Sequence, residues 1–292
     1  MARRLREILE ILTAAVTEGA VEVLTTRRDG HVVADYKDAR ELVTTADKRS
    51  DSAILAIFHE RFPGLDSEVV FQLEESGFSG EPGQKIAGAD PLDGTNHFAA
   101  GGNLYSIQAH YVEDGIPQAG VVFQPEIYFP LSETENPSGR LAWAIRGEGA
   151  FLRGSTFRGR DFAFSDARPL VRRIPPPARS YVACVPISTK MSTEERERAS
   201  RVHQSGLIAA STGTGGAGGN VMMAILGGQH VYANFGAGDD LDLIPPQVIA
   251  IESGLTVWGM DRRQPVWKTR KQPFVAAPSP EIAEAFLQAA GV

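Results

Sequence analysis

The order in which strand and helix patterns follow one another is the feature that most restricts the fold of this chain. From residue 68 to about 155, runs of β-branched and aromatic residues are separated by short Gly, Pro and Asp turns, as in an antiparallel meander. After an Arg- and Gly-rich passage at 153–160, strand-like runs alternate with helical periodicity, which is typical of an α/β arrangement. The sequence therefore predicts an α+β part, residues 1–155, joined without a flexible linker to an α/β part, residues 156–292, in one compact unit.

Hydrophobic spacing predicts the individual elements. In the first part we predict helices at 4–25 and from Asp47 to a stop before Pro63, strands at 69–71, 105–112, 120–123, 141–145 and 150–152, and a solvated hairpin tip at 132–140. In the second part we predict strands at 180–185, 230–235, 255–258 and 274–277, helices at 192–205, 220–227 and 243–253, and a last helix from Pro280 with Ser279 as its N-cap.

Composition and charge narrow the classes of function. The formal net charge is −7 and no Lys/Arg block forms a basic stripe, which argues against a nucleic-acid polymer as partner. The single cysteine, Cys184, rules out an internal disulfide and a zinc site built from several cysteines. The N-terminus lacks the apolar run of a signal peptide, and no stretch reaches the roughly 18 apolar residues of a membrane span. We expect a cytoplasmic protein without a membrane partner.

Residues 90–95, Asp-Pro-Leu-Asp-Gly-Thr, carry the strongest chemical signal. Burying Asp90 and Asp93 side by side is costly unless a cation neutralises them, and a divalent metal is the simplest such cation. Hard oxygen ligands without a His or Cys cluster suit Mg²⁺ better than zinc, and Mg²⁺ held by a few carboxylates usually accompanies a phosphate substrate. A helix starting at Gly94 and Thr95 would offer backbone amides to that phosphate.

Further carboxylates could join this pair. Glu74 and Glu75 directly follow a predicted strand, where they could point into a cleft; a solvated turn is the alternative. Asp242 lies at a predicted helix start and Asp47 follows two threonines, so N-capping alone could explain either of them. The sequence by itself leaves these alternatives open.

A different phosphatase class carries a superficially similar motif. Haloacid-dehalogenase phosphatases have Asp-x-Asp-Gly-Thr, in which the first Asp is a covalent nucleophile at the end of a buried strand. Here the two carboxylates are three positions apart rather than two, and the preceding residues 85–89 form only a weak strand pattern. The spacing argues against a covalent aspartyl mechanism.

Taken together, these motifs resemble the inositol monophosphatase family of Mg²⁺-dependent, lithium-sensitive phosphatases over nearly the whole chain. Residues 90–95 match its Asp-Pro-Ile/Leu-Asp-Gly-Thr motif, residues 74–76 resemble its Gly-Glu-Glu-Ser, and residues 43–47 resemble its Val-Thr-x-x-Asp. Residues 120–122 and 146–151 are similar to its central strands. The resemblance implies a layered αβαβα sandwich, a homodimer, and two or three Mg²⁺ per subunit, with Mn²⁺ able to substitute and Li⁺ or Ca²⁺ inhibitory.

The third acidic motif of the family is matched less closely. Its Asp corresponds to Asp242 and its Glu to Glu252, ten residues later. This spacing selects Asp242 over the neighbouring Asp239 and Asp240.

The resemblance implies a role for each matched residue. The implied metal ligands are the carboxylates of Glu74, Asp90, Asp93 and Asp242 and the carbonyl of Leu92. The implied catalytic residues are Asp47 and Thr95, which would orient or deprotonate the attacking water, and Glu74, with Glu75 assisting through a third metal or its waters. The implied substrate contacts are Asp93, Gly94, Thr95 and Asp242, with Gly216, Ala217 and Phe235 on the pocket wall.

Departures from the family pattern concentrate where they affect the leaving group. Phe235 stands where members acting on inositol phosphate carry a Glu that holds ring hydroxyls. The other departures are Leu73, Asn96, Leu241 and the pair Pro245-Pro246. The resemblance implies a phosphomonoesterase for a small phosphorylated polyol or sugar. The alternatives are a 3′(2′),5′-bisphosphate nucleotidase, a fructose-1,6-bisphosphatase, or, in another class, a catalytically weak protein that binds a phosphate ligand.

Several other residues have both a functional and a structural interpretation. His97 could meet a substrate and His230 could touch a sheet edge or an interface, but a structural role is favoured for both. The glycine-rich segment 212–219 has no closely preceding strand pattern rich in Val and Ile and no suitably placed acidic residue after it, which argues against a dinucleotide loop. The family resemblance implies that this segment lines the substrate pocket. Lys37 belongs either to a mobile loop that approaches the metals or to the solvated surface.

Overall fold

A computed structural model describes residues 2–37, 42–79, 84–127, 138–173, 179–188, 190–236, 238, 240–265, 267 and 272–292. The helices are α1 (Ala2–Arg28), α2 (Thr45–Leu65), α3 (Thr95–Ala99), α4 (Thr193–Gln204), α5 (Ala217–Leu226), α6 (Asp240–Glu252) and α7 (Pro280–Ala290). The first strands are β1 (Ala34–Tyr36), β2 (Leu42–Thr44), β3 (Val70–Leu73), β4 (Gly77–Phe78), β5 (Lys85–Asp93), β6 (Ser106–Glu113), β7 (Ile116–Gln124) and β8 (Gly139–Ile145). The remaining strands are β9 (Gly149–Arg158), β10 (Asp161–Phe164), β11 (Arg168–Pro169), β12 (Tyr181–Cys184), β13 (Ile208–Ser211), β14 (Val231–Asn234), β15 (Thr256–Gly259) and β16 (Phe274–Ala277).

Two sheets dominate the described residues. The larger has nine strands in the order β10-β9-β8-β7-β6-β5-β3-β4, with β11 beside β9. Its β6–β9 segment is the predicted antiparallel meander, whereas β3 and β5 pair in parallel. The second sheet has the order β13-β12-β14-β16-β15, and β12 runs parallel to both of its neighbours. No described helix combines the length and apolar character needed to cross a membrane.

The alternation of side chains along the strands assigns each sheet face to one helical layer. On β7, Val121 and Phe123 pack with α1 and α2, whereas Val122 packs with α5 and α6. On β16, Phe274 packs with α5 and α6, whereas Val275 packs with α4 and α7. The layers are therefore α1/α2, the large sheet, α5/α6, the second sheet and α4/α7, which confirms the predicted αβαβα sandwich.

The predicted end of the second helix was wrong. Helix α2 continues through Pro63 to Leu65. Phe58 and Phe62 are fully buried and both pack against Phe71 of β3, so tertiary packing holds the last turn although Pro63 cannot donate a backbone hydrogen bond.

Strand β5 is longer and more deeply buried than the weak strand pattern of residues 85–89 indicates. This strand is nine residues long and buried in the large sheet between β3 and β6, although its first half is rich in small residues. Gly88 is required there, because a Cβ at this position would lie 2.4 Å from the imidazole of His110 on β6. The hydrophobic pattern of β5 is weak because side chains of the neighbouring strand β6, such as His110, fill the space over its small residues.

Other predictions about the second half agree with the structure. The helix at 192–205, the strands at 230–235 and 274–277, and the last helix with Ser279 as its N-cap are confirmed. Helix α5 begins at Ala217, three residues before the predicted start. The predicted boundary between the two parts, at residues 155 and 156, falls within β9. The division of the chain into two parts stays a prediction. Residues 132–137 of the predicted hairpin tip lie outside the described residues.

Candidate metal-binding active site

The carboxylates of Asp90, Asp93 and Asp242 converge at one end of the large sheet. One oxygen of each lies within 4.8 Å of the others. Asp90 and Asp93 belong to the end of β5, where the pairing register with β6 is interrupted between them, and Asp242 belongs to the first turn of α6. The fold thus brings together three of the four carboxylates predicted to bind metal.

Burial makes this cluster unfavourable without a cation. Burial, and then the neighbouring carboxylates with Glu74 foremost, raise the pKa of Asp90 well above its ordinary value. Burial raises the pKa of Asp93 to about 6, against the opposing effect of its hydrogen bonds. A divalent cation would favour the ionised carboxylates, and their hard oxygens are the ligands that Mg²⁺ prefers. The donor set therefore fits such a metal.

Glu74 lines the same cleft and is paired with Lys37. Lys37 Nζ lies 2.9 Å from Glu74 Oε1 and also forms an ion pair with Glu75. Partial burial disfavours the ammonium, but the two glutamates outweigh it and raise the pKa of Lys37. The backbone N–H of Glu75 donates to Asp51 at 3.1 Å, which anchors the turn after β3. A positive charge therefore already lies beside these two glutamates.

Thr95 and Asp47 lie within hydrogen-bond distance of each other at the edge of the cluster. Thr95 Oγ1 is 2.9 Å from Asp47 Oδ1 and 2.9 Å from the carbonyl oxygen of Leu92, so its proton can be donated to either. Asp47 Oδ2 accepts hydrogen bonds from the backbone N–H and the hydroxyl of Thr44, at 2.7 and 2.6 Å. Burial raises the pKa of Asp47, and the bonds from Thr44 oppose this change. Asp47 therefore completes the capping box of α2, whose N-cap is Thr44, and contacts Thr95 at the same time.

Asp93 connects the large sheet to the N-terminus of α5. Its carboxylate accepts hydrogen bonds from the backbone N–H of Ala217 at 3.1 Å, from that of Gly218 at 2.9 Å, and from Ser106 Oγ at 3.0 Å. Gly216 makes room for this carboxylate, because a Cβ there would lie 2.4 Å from Asp93 Oδ2. Gly216 and Ala217, predicted on the pocket wall, thus adjoin the acidic cluster through Asp93.

The remaining cleft lining includes Gly94, Asn96 and Lys190. Gly94 is the N-cap of α3 with a φ of 96°, and a Cβ there would lie 2.9 Å from the carbonyl oxygen of Leu104, so only glycine fits. Sequence reasoning missed Lys190, since a single lysine in a loop belongs to no motif. Its place after β12 could have indicated it, because loops at the carboxyl ends of parallel strands often carry site residues.

Phe235 does not line the cleft, which corrects the prediction that it contacts substrate. Its side chain is fully buried among apolar residues between the second sheet and helices α4 and α7. Val231 and Ala233 of β14 pack on the same face, whereas Tyr232 faces α5 and α6. The period-two alternation of a strand therefore directs Phe235 away from the acidic cluster.

The two histidines considered in the sequence have different surroundings. His97 packs against Gly215, where a Cβ would lie 1.9 Å from the imidazole, so it supports the glycine-rich wall. His230 Nδ1 accepts a hydrogen bond from the backbone N–H of Val182 at 3.3 Å, within the second sheet. Both arrangements favour the structural interpretation.

Glu252, ten residues after Asp242 in the third acidic motif, has a structural role at the end of α6. Its two carboxylate oxygens accept backbone hydrogen bonds from Gly147 and Gly149, each at 2.9 Å. Gly147 lies in the turn between β8 and β9, and Gly149 is the first residue of β9. The C-terminal end of α6 is thereby fixed to the large sheet while its first turn holds Asp242 in the cluster.

Asp240, two positions before Asp242, has a different partner. Its Oδ2 accepts a hydrogen bond from Gln72 Nε2 at 3.2 Å. Asp239 lies outside the described residues. The geometry groups Asp242, and not Asp240, with Asp90 and Asp93.

Comparison with known proteins agrees with this architecture. The chain is 33% identical over 118 residues to an inositol-1-monophosphatase of Synechocystis sp., a match that covers 40% of each chain. It is 30% identical over 127 residues to a fructose-1,6-bisphosphatase/inositol-1-monophosphatase of Aquifex aeolicus, covering 44% of this chain and 42% of that protein. These matches therefore span less than half the length of the curated relatives.

The fold similarity extends further than these matches. The crystal structure of the extragenic suppressor protein suhB from Bartonella henselae, which is 17% identical, has a TM-score of 0.75 and covers 97% of this chain and 98% of that one. The sequence model of the inositol monophosphatase family matches residues 4–291. Since that match takes in almost the whole chain, the protein belongs to the inositol monophosphatase family.

Proposed function

We propose that this protein is a Mg²⁺-dependent phosphomonoesterase that hydrolyses a small phosphorylated polyol or sugar. The observation that carries the proposal is the convergence of Asp90, Asp93 and Asp242 within 4.8 Å, beside the Thr95–Asp47 pair. Members of this family are phosphatases, which supports the reaction class. The substrate class rests on the named relatives and on the small, polar cleft.

The proposed roles of the residues follow from their positions. The proposed metal ligands are Glu74, Asp90, Asp93, Asp242 and the carbonyl of Leu92. Bound Mg²⁺ would supply positive charge that offsets the phosphoryl oxygens and makes a water molecule more acidic. Thr95 accepts a hydrogen bond from the attacking water and donates its own proton toward Asp47, while the backbone of Gly94 and Thr95 orients the phosphate.

A substrate panel tests the proposal. Purified protein is assayed for phosphate release with Mg²⁺ from inositol 1-phosphate, fructose 1,6-bisphosphate, histidinol phosphate and adenosine 3′,5′-bisphosphate. We expect at least one polyol or sugar phosphate to be hydrolysed, and no release when a chelator replaces Mg²⁺. Tight phosphate binding without turnover of any substrate would instead favour a phosphate-binding protein.

A fructose-1,6-bisphosphatase is a second candidate because Lys190 adds a cation to the lining of the acidic cleft. A second phosphate group carries negative charge that a lysine can attract. We expect Lys190→Met to raise KM for fructose 1,6-bisphosphate more than KM for inositol 1-phosphate, with kcat little changed. Equal changes for the two substrates would exclude a second-phosphate contact.

Gly216→Ala tests the contact between the glycine-rich wall and the metal cluster. The added methyl group would overlap the Asp93 carboxylate, so we expect phosphate release to fall by at least tenfold. Gly213→Ala is the matched control in the same segment, since a Cβ there would lie 3.7 Å from Cys184 Sγ, an ordinary contact. Equal activity of the two variants would contradict the assigned position of Asp93.

We also propose the assembly and ion preferences of the family for this chain: a homodimer with two or three Mg²⁺ per subunit, activated by Mn²⁺ and inhibited by Li⁺ or Ca²⁺. Light scattering coupled to size exclusion should give twice the 31.4 kDa mass of the chain. A monomeric mass would overturn the dimer while leaving the active-site proposal intact.

A further inference from the structure

Strand β6 carries a polar row on the face toward α5 and α6. The residues on its opposite face pack in the apolar core with α1 and α2: Ile107, Ala109 and Tyr111. The residues between them are polar and fully or almost fully buried: Ser106, Gln108 and His110. Polar side chains on a buried sheet face are costly unless they are hydrogen-bonded, so the row calls for a reason.

The hydrogen bond that Ser106 donates to Asp93 explains its buried position. Gln108 has no such bond. Gln108 has 0% exposure, and neither its Oε1 nor its Nε2 has a hydrogen-bond partner among the described residues. A buried amide costs free energy unless something hydrogen-bonds to it, and the described residues supply no such partner for Gln108. A ligand-bound state of a neighbouring site is one source of that partner.

The pairing register locates Gln108 beside the acidic cluster. Gln108 is the cross-strand partner of Asp90, as Ser106 is of Asp93. Directly paired residues project to the same face with Cβ atoms about 5 Å apart, within reach of a glutamine side chain. A Cβ on Gly218 would lie 2.7 Å from Gln108 Oε1, and the N–H of Gly218 itself binds Asp93. The carboxamide therefore lies between Asp90 on β5 and the start of α5.

We propose that Gln108 is a positioning residue for the metal site, and that its Nε2–H donates to the carboxylate of Asp90 when the cluster binds a divalent cation. This inference rests on the proposed function, since it presumes a metal at Asp90. Asp90 Oδ1 already accepts a hydrogen bond from the backbone N–H of Leu92 at 2.8 Å. A second donor would fix the carboxylate plane, as Ser106 does for Asp93, and outer hydrogen bonds of this kind tune metal affinity about 10–100-fold.

Gln108→Leu tests the inference through two measurements, because the variant should keep its stability without metal and lose affinity for the metal. The first is the melting temperature in chelator, which should stay the same or rise, because an apolar side chain replaces a buried amide without a partner. The second is the dissociation constant for Mn²⁺ alone, measured by calorimetry without substrate. It should rise at least tenfold. Gln118→Leu, the same change on β7 at a residue that does not line the cleft, should leave Mn²⁺ binding unchanged.

The outcomes separate the inference from the proposed function. A Mn²⁺ dissociation constant within twofold of wild type in Gln108→Leu overturns the positioning role, whatever the melting temperature does. If that variant fails to fold, Gln108→Met, which keeps the length of the side chain, is measured against the same criterion. Wild-type protein that binds no Mn²⁺ would instead refute the metal site itself.

Discussion

Asp90→Asn is expected to lower phosphate release by about a thousandfold or more while the metal-free protein stays folded. Asp90 is 1% exposed and belongs to the convergent carboxylate cluster. A catalytic metal contributes several kcal/mol to stabilising charge in the transition state, and about 4 kcal/mol corresponds to roughly a thousandfold in rate. The measurement is kcat/KM with saturating Mg²⁺.

The same substitution should not harm the metal-free fold. Asparagine has nearly the shape of aspartate and removes one of several like charges from a buried site, so the melting temperature in chelator should not fall. Asp161→Asn, at an exposed position on β10, is the control and should retain full activity. Near-normal turnover of Asp90→Asn would remove Asp90 from the metal site.

Thr95→Val is expected to lower kcat by about 10²- to 10⁴-fold, the usual range for a group that assists proton transfer. Valine keeps the volume of threonine but cannot bridge the water to Asp47, which lies 2.9 Å from the hydroxyl. Thr95→Ser keeps the hydroxyl and should retain most of the activity. The measurement is steady-state kcat for the three proteins at saturating Mg²⁺ and substrate.

The affinity of Thr95→Val for metal shows whether the substitution impairs proton transfer or metal binding by the carboxylate cluster. Because Thr95 contributes no carboxylate, Thr95→Val should bind Mn²⁺ as wild type does. A variant that keeps wild-type kcat would limit the Thr95–Asp47 contact to a structural role. A variant that loses Mn²⁺ binding would show that the hydroxyl supports the metal ligands instead.

The part of the site that could be predicted from the sequence is the part encoded in short motifs. Asp90, Asp93 and Thr95 lie within six consecutive residues, and Asp242 and Glu252 lie on one helix whose Glu252 end is hydrogen-bonded to Gly147 and Gly149. Local chain geometry therefore determines where these groups lie. The layered fold could be predicted for a similar reason, since strand and helix periodicities differ along the chain.

The parts of the site that could not be predicted from the sequence depend on packing between segments that are distant along the chain. The family pattern predicts Phe235 in the pocket, but the alternation of side chains along β14 directs it to the opposite face of the second sheet. Lys190 enters the cleft through the path of a loop, and Gln108 meets Asp90 only through the β5–β6 register. Such contacts between distant segments leave at most a general signal in a single sequence, such as the place of Lys190 in the loop after β12.

Crystals grown with Mn²⁺ and inorganic phosphate test the central claim most directly, because manganese can be located by its anomalous scattering. We predict anomalous peaks among the carboxylates of Asp90, Asp93 and Asp242, with phosphate adjacent to them near the Gly94–Thr95 backbone. The absence of manganese from these carboxylates, or its binding elsewhere with phosphate, would contradict the account.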